Sequence, residues 1–285
     1  MKYTHPDLFI TPKDDLKITP VFCNDRLLTR LAERSCGKSL PDAGEYYTTP
    51  VVFPKPGPAR PYIVSSIVLS ADGKMAFMDN RAGPLIAGNN ALDSAGGRID
   101  FWCLNMLRAC ADGLIVGANT LRSEPGVICA CLDVDLMAQR RDVLKKPGQP
   151  VQVIVSLDAA DIPFEHAAFR LDPAERMKVI IATSPAGWEY IKSNSPLNHV
   201  PAGPFVTCEQ VDGASLPDLK EDFNVVPVIV TGEENRPDMK LMLKMLRLMG
   251  METVCAESPT YAAALMAGGC LDEYFINYSM VYAGG

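Results

Sequence analysis

The chain has 285 residues, of which 48% are hydrophobic and 21% charged, and its formal net charge is -7 at pH 7. This composition excludes an intrinsically disordered chain, and no apolar run approaches the roughly 20 residues that cross a bilayer. The negative charge opposes general binding to nucleic acid. Because the charged, proline-containing N-terminus does not resemble a secretory signal, we expect a soluble, cytoplasmic protein.

The nine cysteines lie at irregular spacings, and several of them fall inside apolar runs. This pattern predicts reduced thiols in a core rather than a disulfide framework. No C-x-x-C motif is present, and the close pair Cys129 and Cys131 is far in sequence from all three histidines. We therefore predict no metal site.

Residues 1–60 are rich in proline, most densely in the stretch VVFPKPGPARP. They predict an N-terminal extension with one helix around Asn24 to Arg34. From Pro61 onward, strand-like and helix-like segments alternate, and residues 61–285 are predicted to form one α/β domain.

The domain begins with PYIVSSIVLS, a β-branched strand that ends at the turn Asp72-Gly73. The segment RIDFWCLNMLRACADG predicts a helix, because Phe101, Leu104 and Leu107 share one helical face. Four apolar runs then predict strands: GLIVGA, VQVIVSLD, KVIIATS and VVPVIVTG.

The last third of the chain continues the alternation. PDMKLMLKMLRLMG predicts a helix whose methionines fill the core, and METVCAE, SPTYAAALMAGG and LDEYFINYSMVYAGG predict a strand, a helix and a final strand. One face of the final strand is expected to carry Tyr274, Ile276, Tyr278, Met280 and Tyr282. The alternation predicts a largely parallel sheet, in which ligands bind beyond the carboxyl ends of the strands.

Polar residues follow several of these strand ends. In ESPTYAAALMAGG, Ser258 is a good N-cap and Pro259 a good first helical residue, so a helix is predicted to begin directly at a strand end. Free amides at such a helix start favour a phosphate, although an ordinary capped helix explains the same residues. Glu257 is costly to bury at this place unless it meets a ligand or a salt-bridge partner.

The stretch GANTLRSEP follows another strand. Gly117 and Ala118 allow the backbone to approach a ligand closely, and Asn119 and Thr120 can donate hydrogen bonds. Arg122 and Glu124 could bind a ligand or pair with each other. Walker-type, G-x-G-x-x-G and serine-histidine-acid motifs are absent, so the residues alone predict an anionic, nucleotide-like ligand.

The segments PYIVSSIVLSADGKMA, FWCLNMLRACADGLIVGANTLRSEP, VIVS and ETVCAESPTYAAALMAGGCLDEYFINYSMVYAGG follow one another in this order. Together they resemble the reductase domain of the bifunctional riboflavin-biosynthesis deaminase-reductase family, within the dihydrofolate-reductase-like superfamily. The resemblance covers residues 61–285, strongly at both ends and weakly between about 130 and 240. It implies a three-layer α/β fold with a mixed, mostly parallel central sheet and helices on both faces.

The resemblance also implies an activity. It points to an NADPH-dependent reductase of a phosphoribosylamino-uracil-like pyrimidine, in which hydride delivered to C1 converts the ribosyl group into a ribityl group. A homodimer is expected. Two alternatives remain: a dihydrofolate-type reductase of a pterin-like substrate, and a nucleotide-binding protein that keeps the fold without turnover.

Site residues follow from the residue types and from the resemblance. We predict catalytic roles for Glu124, Glu257 and Asp72, the last also shaping the site floor. Arg108 and Glu257 are predicted to hold the substrate, although Arg108 is equally explained by the dipole of the helix that it ends. The predicted cofactor residues are Leu85 near the nicotinamide, then Gly117, Ala118, Asn119, Thr120 and Ser156, and finally Ser258, Pro259, Thr260 and Tyr261 under the phosphates. Glu257→Gln is expected to impair turnover far more than folding.

The sequence departs from the family pattern at several places. Where the family has E-G-G-P-T, this chain has Glu257-Ser258-Pro259-Thr260, one residue shorter, and SEP replaces A-D-D-P. The H-x-E and P-C-x-x-C motifs of zinc deaminases are absent, so residues 1–60 are not expected to deaminate. The family continues with another strand pair where this sequence ends, so we expect an open sheet edge covered by the N-terminal extension or a partner subunit.

Overall fold

A computed structural model of the chain describes residues 6–16, 18–47, 49–80, 82–90, 92, 95–170, 177–215 and 225–284. The apolar runs of the sequence form the strands of one sheet. The strands are β1 (Tyr62–Ser70), β2 (Gly113–Gly117), β3 (Val151–Val155), β4 (Val179–Thr183), β5 (Asn198–Phe205), β6 (Val225–Thr231), β7 (Thr253–Ala256) and β8 (Glu273–Ser279). All of them except β5 lie within predicted strands.

In the described residues, two helices precede β1 and eight lie between the strands. They are α1 (Asp25–Arg34), α2 (Pro41–Tyr46), α3 (Pro84–Gly88), α4 (Gly96–Cys110), α5 (Ala118–Ser123), α6 (Val134–Asp142), α7 (Pro185–Asn194), α8 (Cys208–Asp212), α9 (Met239–Leu248) and α10 (Pro259–Ala267). The predictions of α1, α4, α9 and α10 are confirmed. Met242 and Met245 of α9 are buried, which confirms that its methionines fill the core. Among the described helices, none has the length and apolar character needed to span a bilayer.

The described strands form one sheet in the order β5-β6-β4-β3-β2-β7-β1-β8, and every pairing between them is parallel. The predicted mostly parallel α/β sheet is therefore confirmed. Consecutive residues of a strand point to opposite faces. Thus Val116 of β2 belongs to the same core as Trp102 of α4, whereas Ile115 shares a second core with Leu265 of α10. Helices cover both faces and complete three layers.

The N-terminal extension packs against the sheet domain rather than standing apart from it. Asp133, the N-cap of α6, accepts hydrogen bonds from its own helix and from the backbone amide of Thr11. Phe53 contacts Phe275 of β8, with ring centroids 6.5 Å apart. Four apolar residues of the extension lie in the core that contains Trp102, namely Leu16, Leu40, Ala43 and Val51.

β8 is one of the two outer strands of the described sheet. It ends at Ser279, before the end of the predicted strand. The extension covers the face that carries Phe275, whereas Ile276 and Tyr278 on the opposite face are 46% and 56% exposed. The extension therefore covers only one of the two faces of β8.

β5 and the helices α2, α3, α5, α6, α7 and α8 were not predicted from the sequence. β5 contains Pro201 and Pro204, and a proline cannot donate a ladder hydrogen bond, so its sequence argues against a strand. In the structure β5 is the other outer strand, and only one of its sides must pair. An edge strand tolerates prolines that a central strand would not.

The cysteines are all free. Five of them are buried, and burial raises the pKa of Cys129 and of Cys131 to about 12. These two thiols therefore stay protonated at neutral pH. The buried cysteines confirm the predicted core thiols, although Cys23, Cys36 and Cys208 are exposed.

Gln152 of β3 provides a test of this core. Its side chain is fully buried, and neither amide atom has a hydrogen-bonding partner within the described part of the chain. We expect Gln152→Met to raise the free energy of unfolding by about 1–2 kcal/mol, because burying an unpaired amide is costly and Met has a similar volume. Urea denaturation of the purified protein measures this change.

Gln149 is the matched control. Its Oε1 accepts a hydrogen bond from Cys131 N at 2.9 Å, and its Nε2 donates one to Cys131 O at 2.8 Å. Gln149→Met should therefore lower the free energy of unfolding. A loss of stability in both variants would mean that the Gln152 amide is satisfied in solution.

Candidate functional site

The chain topology predicts a crevice at the carboxyl ends of β2 and β7. These strands are neighbours, but the chain leaves β2 toward β3 and leaves β7 toward β8, in opposite directions across the sheet. In open α/β sheets such a divergence opens a crevice at the carboxyl ends of the strands. The two ends are held together by a hydrogen bond of 2.9 Å from Glu257 N to Ile115 O.

Residues from both strand ends converge in this crevice. A Cβ atom placed on Gly117 would lie 2.8 Å from Ser258 Oγ and 3.9 Å from Thr120 Oγ1. The φ of Gly117 is -74°, which any residue can adopt, so glycine is required here for space rather than for conformation. The structure thus brings together Gly117, Thr120 and Ser258, which the sequence assigned to two separate segments.

The start of α10 faces this crevice. Ser258 occupies the N-cap position and Pro259 the first helical position, as predicted, but the Ser258 side chain makes no capping hydrogen bond. The amides of Thr260 and Tyr261 are therefore left without a side-chain cap. Small side chains beside uncapped amides fit a phosphate group. The ring of Tyr261 packs against the core, where burial raises its pKa, so only its backbone can face such a group.

Arg108 and Glu257 bind each other beneath the crevice. Arg108 Nε donates to Glu257 Oε1 at 2.8 Å, and Arg108 Nη2 donates to Oε2 at 2.6 Å. The side chains are only 5% and 9% exposed, and Arg108 Nη1 donates to Ala130 O at 2.9 Å. Burial lowers the pKa of Arg108, but the charge and hydrogen bonds of Glu257 outweigh it and raise that pKa.

This buried pair changes the expectation for both residues. All three guanidinium nitrogens of Arg108 are occupied by Glu257 and Ala130. The salt bridge that was the alternative explanation for Glu257 is present, so loss of its charge must affect folding as well as any chemistry. The expectation that Glu257→Gln acts far more on turnover than on folding is therefore revised.

Glu124 connects α5 with the start of α3. Its Oε1 accepts a hydrogen bond from Gly83 N at 3.0 Å, and its backbone O lies 3.1 Å from Nε2 of His166. Leu85, predicted near the nicotinamide, lies in the first turn of α3, two residues after Gly83. Gly83 and His166 were not predicted from the sequence, because neither forms a recognisable pattern with Glu124.

The other residues of GANTLRSEP also have defined positions. Ala118 is buried at the start of α5, and Asn119 follows it on the surface. Arg122 Nη2 donates to Asn119 Oδ1 at 2.6 Å. The alternative in which Arg122 pairs with Glu124 is therefore wrong, since each side chain binds another partner.

Ser156 follows β3, next to β2 in the sheet, where Gly117 pairs with Val155. Its Oγ donates to Asp161 Oδ1 and accepts a hydrogen bond of 2.9 Å from Ala159 N. Ser156 thus lies at the same sheet edge as Gly117, and its hydroxyl shapes the turn after β3. Asp161 was not among the predicted site residues.

Asp72 lies at the end of β1. It accepts hydrogen bonds from Ser70 Oγ at 2.6 Å, Ala283 N at 3.0 Å and Gly284 N at 3.1 Å. These donors, Ser70 first among them, lower the pKa of Asp72. Asp72 therefore stays ionised and holds residues 283–284 against the turn after β1.

Similarity to known proteins appears in structure and not in sequence. No protein-family model matches the chain, and no curated protein matches it. A pyrimidine reductase-like protein from Corynebacterium diphtheriae has a similar structure, with a TM-score of 0.53 and 18% identity over 78% of this chain and 75% of that chain.

Two further solved structures are similar. RibD of Acinetobacter baumannii has a TM-score of 0.47 and 16% identity, over 80% of this chain and 48% of that chain. A diaminohydroxyphosphoribosylaminopyrimidine deaminase/5-amino-6-(5-phosphoribosylamino)uracil reductase of Thermotoga maritima has a TM-score of 0.45 and 18% identity, over 79% of this chain and 46% of that chain. The match spans about half the length of each of these two proteins, and at these TM-scores neither carries an argument. The likeness to the Corynebacterium diphtheriae protein shows the fold alone and confirms the predicted α/β fold.

Proposed function

We propose that this chain is a cytoplasmic, homodimeric reductase that binds a reduced nicotinamide dinucleotide along the carboxyl ends of β2, β3 and β7. The observation that carries the proposal is the convergence of Gly117, Thr120 and Ser258 at the uncapped start of α10. Small residues and free amides at a helix start suit a pyrophosphate. NADPH is the dinucleotide that the resemblance implies.

The substrate of this proposal is a phosphorylated pyrimidine or a pterin-like compound. The name of the diphtheria protein, pyrimidine reductase-like, supports this class. When bound, the reduced nicotinamide would supply a hydride to the ribosyl C1 of a phosphoribosylamino-pyrimidine and become oxidised; the bond from C1 to the ring oxygen opens, that oxygen takes up a proton, and the sugar becomes a ribityl chain. The protein aligns the two reactants and excludes water.

The three carboxylates predicted to be catalytic take different roles in this proposal. Glu257 neutralises Arg108 under the crevice, and Asp72 holds residues 283–284. Glu124 makes one side-chain hydrogen bond among the described residues, from Gly83 N to Oε1, so its second oxygen is available to a ligand. We therefore assign Glu124 the contact with the bound reactants.

A thermal-shift titration followed by an oxidation assay tests the proposal. NADPH at about 100 times its Kd should raise the free energy of unfolding by about 2.7 kcal/mol, because it binds the native state only. The melting temperature should rise by several degrees as a result. Absorbance at the dihydronicotinamide band should then fall when a phosphoribosylamino-pyrimidine or dihydrofolate is added, and sedimentation equilibrium should give a dimer mass. Binding without oxidation would favour the non-catalytic alternative, and the absence of any thermal shift with NADPH and with NADH would overturn the proposal.

A further inference from the structure

His166 is a buried histidine with a fixed hydrogen-bonding pattern. It lies in the loop after β3 and is 3% exposed. Ala168 N donates to Nδ1 at 3.1 Å, and Nε2 lies 3.1 Å from Glu124 O. Because an amide N–H only donates and a carbonyl oxygen only accepts, the ring is neutral and carries its hydrogen on Nε2.

Glu124 is held by three segments of the chain. Its N–H donates to Thr120 O at 2.9 Å within α5, and its carboxylate accepts from Gly83 N at the start of α3. Its carbonyl oxygen accepts from Nε2 of His166. Since α5 ends at Ser123, the helix fixes Glu124 on its N-terminal side, and Val127 N, which donates to Glu124 O at 3.0 Å, closes a turn on its C-terminal side.

The loop that carries His166 begins at Ser156, which belongs to the proposed dinucleotide site. Inside this loop, Asp161 holds Ser156, and His166 N donates to Pro163 O at 2.8 Å. The bond from His166 to Glu124 therefore connects the side of the crevice formed by β3 with the side formed by α5. The two loops also meet in an apolar cluster, in which Ala167 packs against Ile128, Ala130 and Met177, and the bond from His166 adds a directional polar contact to it.

We infer that His166 is a positioning residue of this site, which holds Glu124 and the loop after β3 at a fixed separation through its Nε2–H. The inference rests on the proposed function, because the dinucleotide of that function is the ligand that Glu124 and Ser156 would contact. A hydrogen bond donated by a buried, neutral side chain to a backbone carbonyl maintains geometry without taking part in the chemistry.

Two substitutions separate the bonds of the ring. In His166→Gln the side-chain amide nitrogen falls near the position of Nε2 and keeps the donor to Glu124 O. In His166→Asn the side-chain oxygen falls near Nδ1, keeps the acceptor for Ala168 N and loses the bond to Glu124. Each variant keeps one of the two bonds, so both should lose similar stability, which thermal unfolding checks.

The readouts are dinucleotide affinity and amide hydrogen exchange in residues 82–90. His166→Asn should weaken NADPH binding about tenfold and speed exchange at Gly83 about tenfold, because Glu124 holds that amide less firmly once it loses the bond from His166. His166→Gln should stay near the native value in both. Equal exchange in the two variants would overturn the inference, even if NADPH binds. Failure of native protein to bind NADPH or NADH, with faster exchange in His166→Asn only, would instead overturn the proposed function and the ligand part of this inference.

Discussion

Glu257→Gln should lower the free energy of unfolding by about 3 kcal/mol, because it leaves the buried guanidinium of Arg108 without a counter-charge. Both side chains are more than nine-tenths buried, and the pair makes two parallel hydrogen bonds. Removing one partner of such a pair lowers the free energy of unfolding by far more than the intact pair raises it, because the remaining charge stays buried without a counter-charge. Chemical denaturation measures the loss.

The pair Arg141 and Asp142 is the control. Their side chains are 65% and 63% exposed, so Asp142→Asn should leave stability unchanged within error. The double variant Arg108→Met with Glu257→Leu removes both charges and should recover most of the stability lost in Glu257→Gln. If Glu257→Gln keeps native stability but loses turnover, the carboxylate acts on the substrate and the original expectation returns.

Gly117→Ala should weaken binding of NADPH at least about tenfold, because the added methyl group fills the space between β2 and the start of α10. The new Cβ would lie 2.8 Å from Ser258 Oγ, too close for contact without movement. Isothermal titration or fluorescence of the bound dinucleotide measures the change in Kd.

Gly126→Ala is the matched control, since a Cβ there has no atom within 4 Å. The double variant Gly117→Ala with Ser258→Ala removes the hydroxyl that the methyl group meets and should restore stability but not affinity. Recovery of affinity in the double variant would show that Gly117→Ala acts through displacement of Ser258 rather than by filling the ligand space.

The sequence was informative where a local pattern decides the structure. Seven strands lie within predicted segments, six of them largely apolar runs and β8 an aromatic one. The segments after β2 and β7 were correctly expected to meet, because the carboxyl ends of parallel strands share one edge. The N-cap position of Ser258 and the first helical position of Pro259 also follow from local preferences.

Contacts between distant segments were not predictable in the same way. Arg108 and Glu257 are 149 positions apart, and nothing local tells a buried arginine which carboxylate it will meet. Likewise His166 binds the backbone oxygen of Glu124. Every residue has such an oxygen, so the residue type at position 124 does not indicate the contact. β5 was missed because its prolines are tolerated only at an outer position, and position in a sheet depends on the whole topology.

The two outer strands of the sheet differ in their capacity to recruit another strand. Pro201 and Pro204 have no backbone N–H, so β5 lacks two hydrogen-bond donors and pairs less readily with a strand of another molecule. β8 has no proline, and its only charged residue is Glu273, at its first position. Growth of the sheet, whether into an ordered assembly or into an aggregate on partial unfolding, is therefore directed to the β8 side.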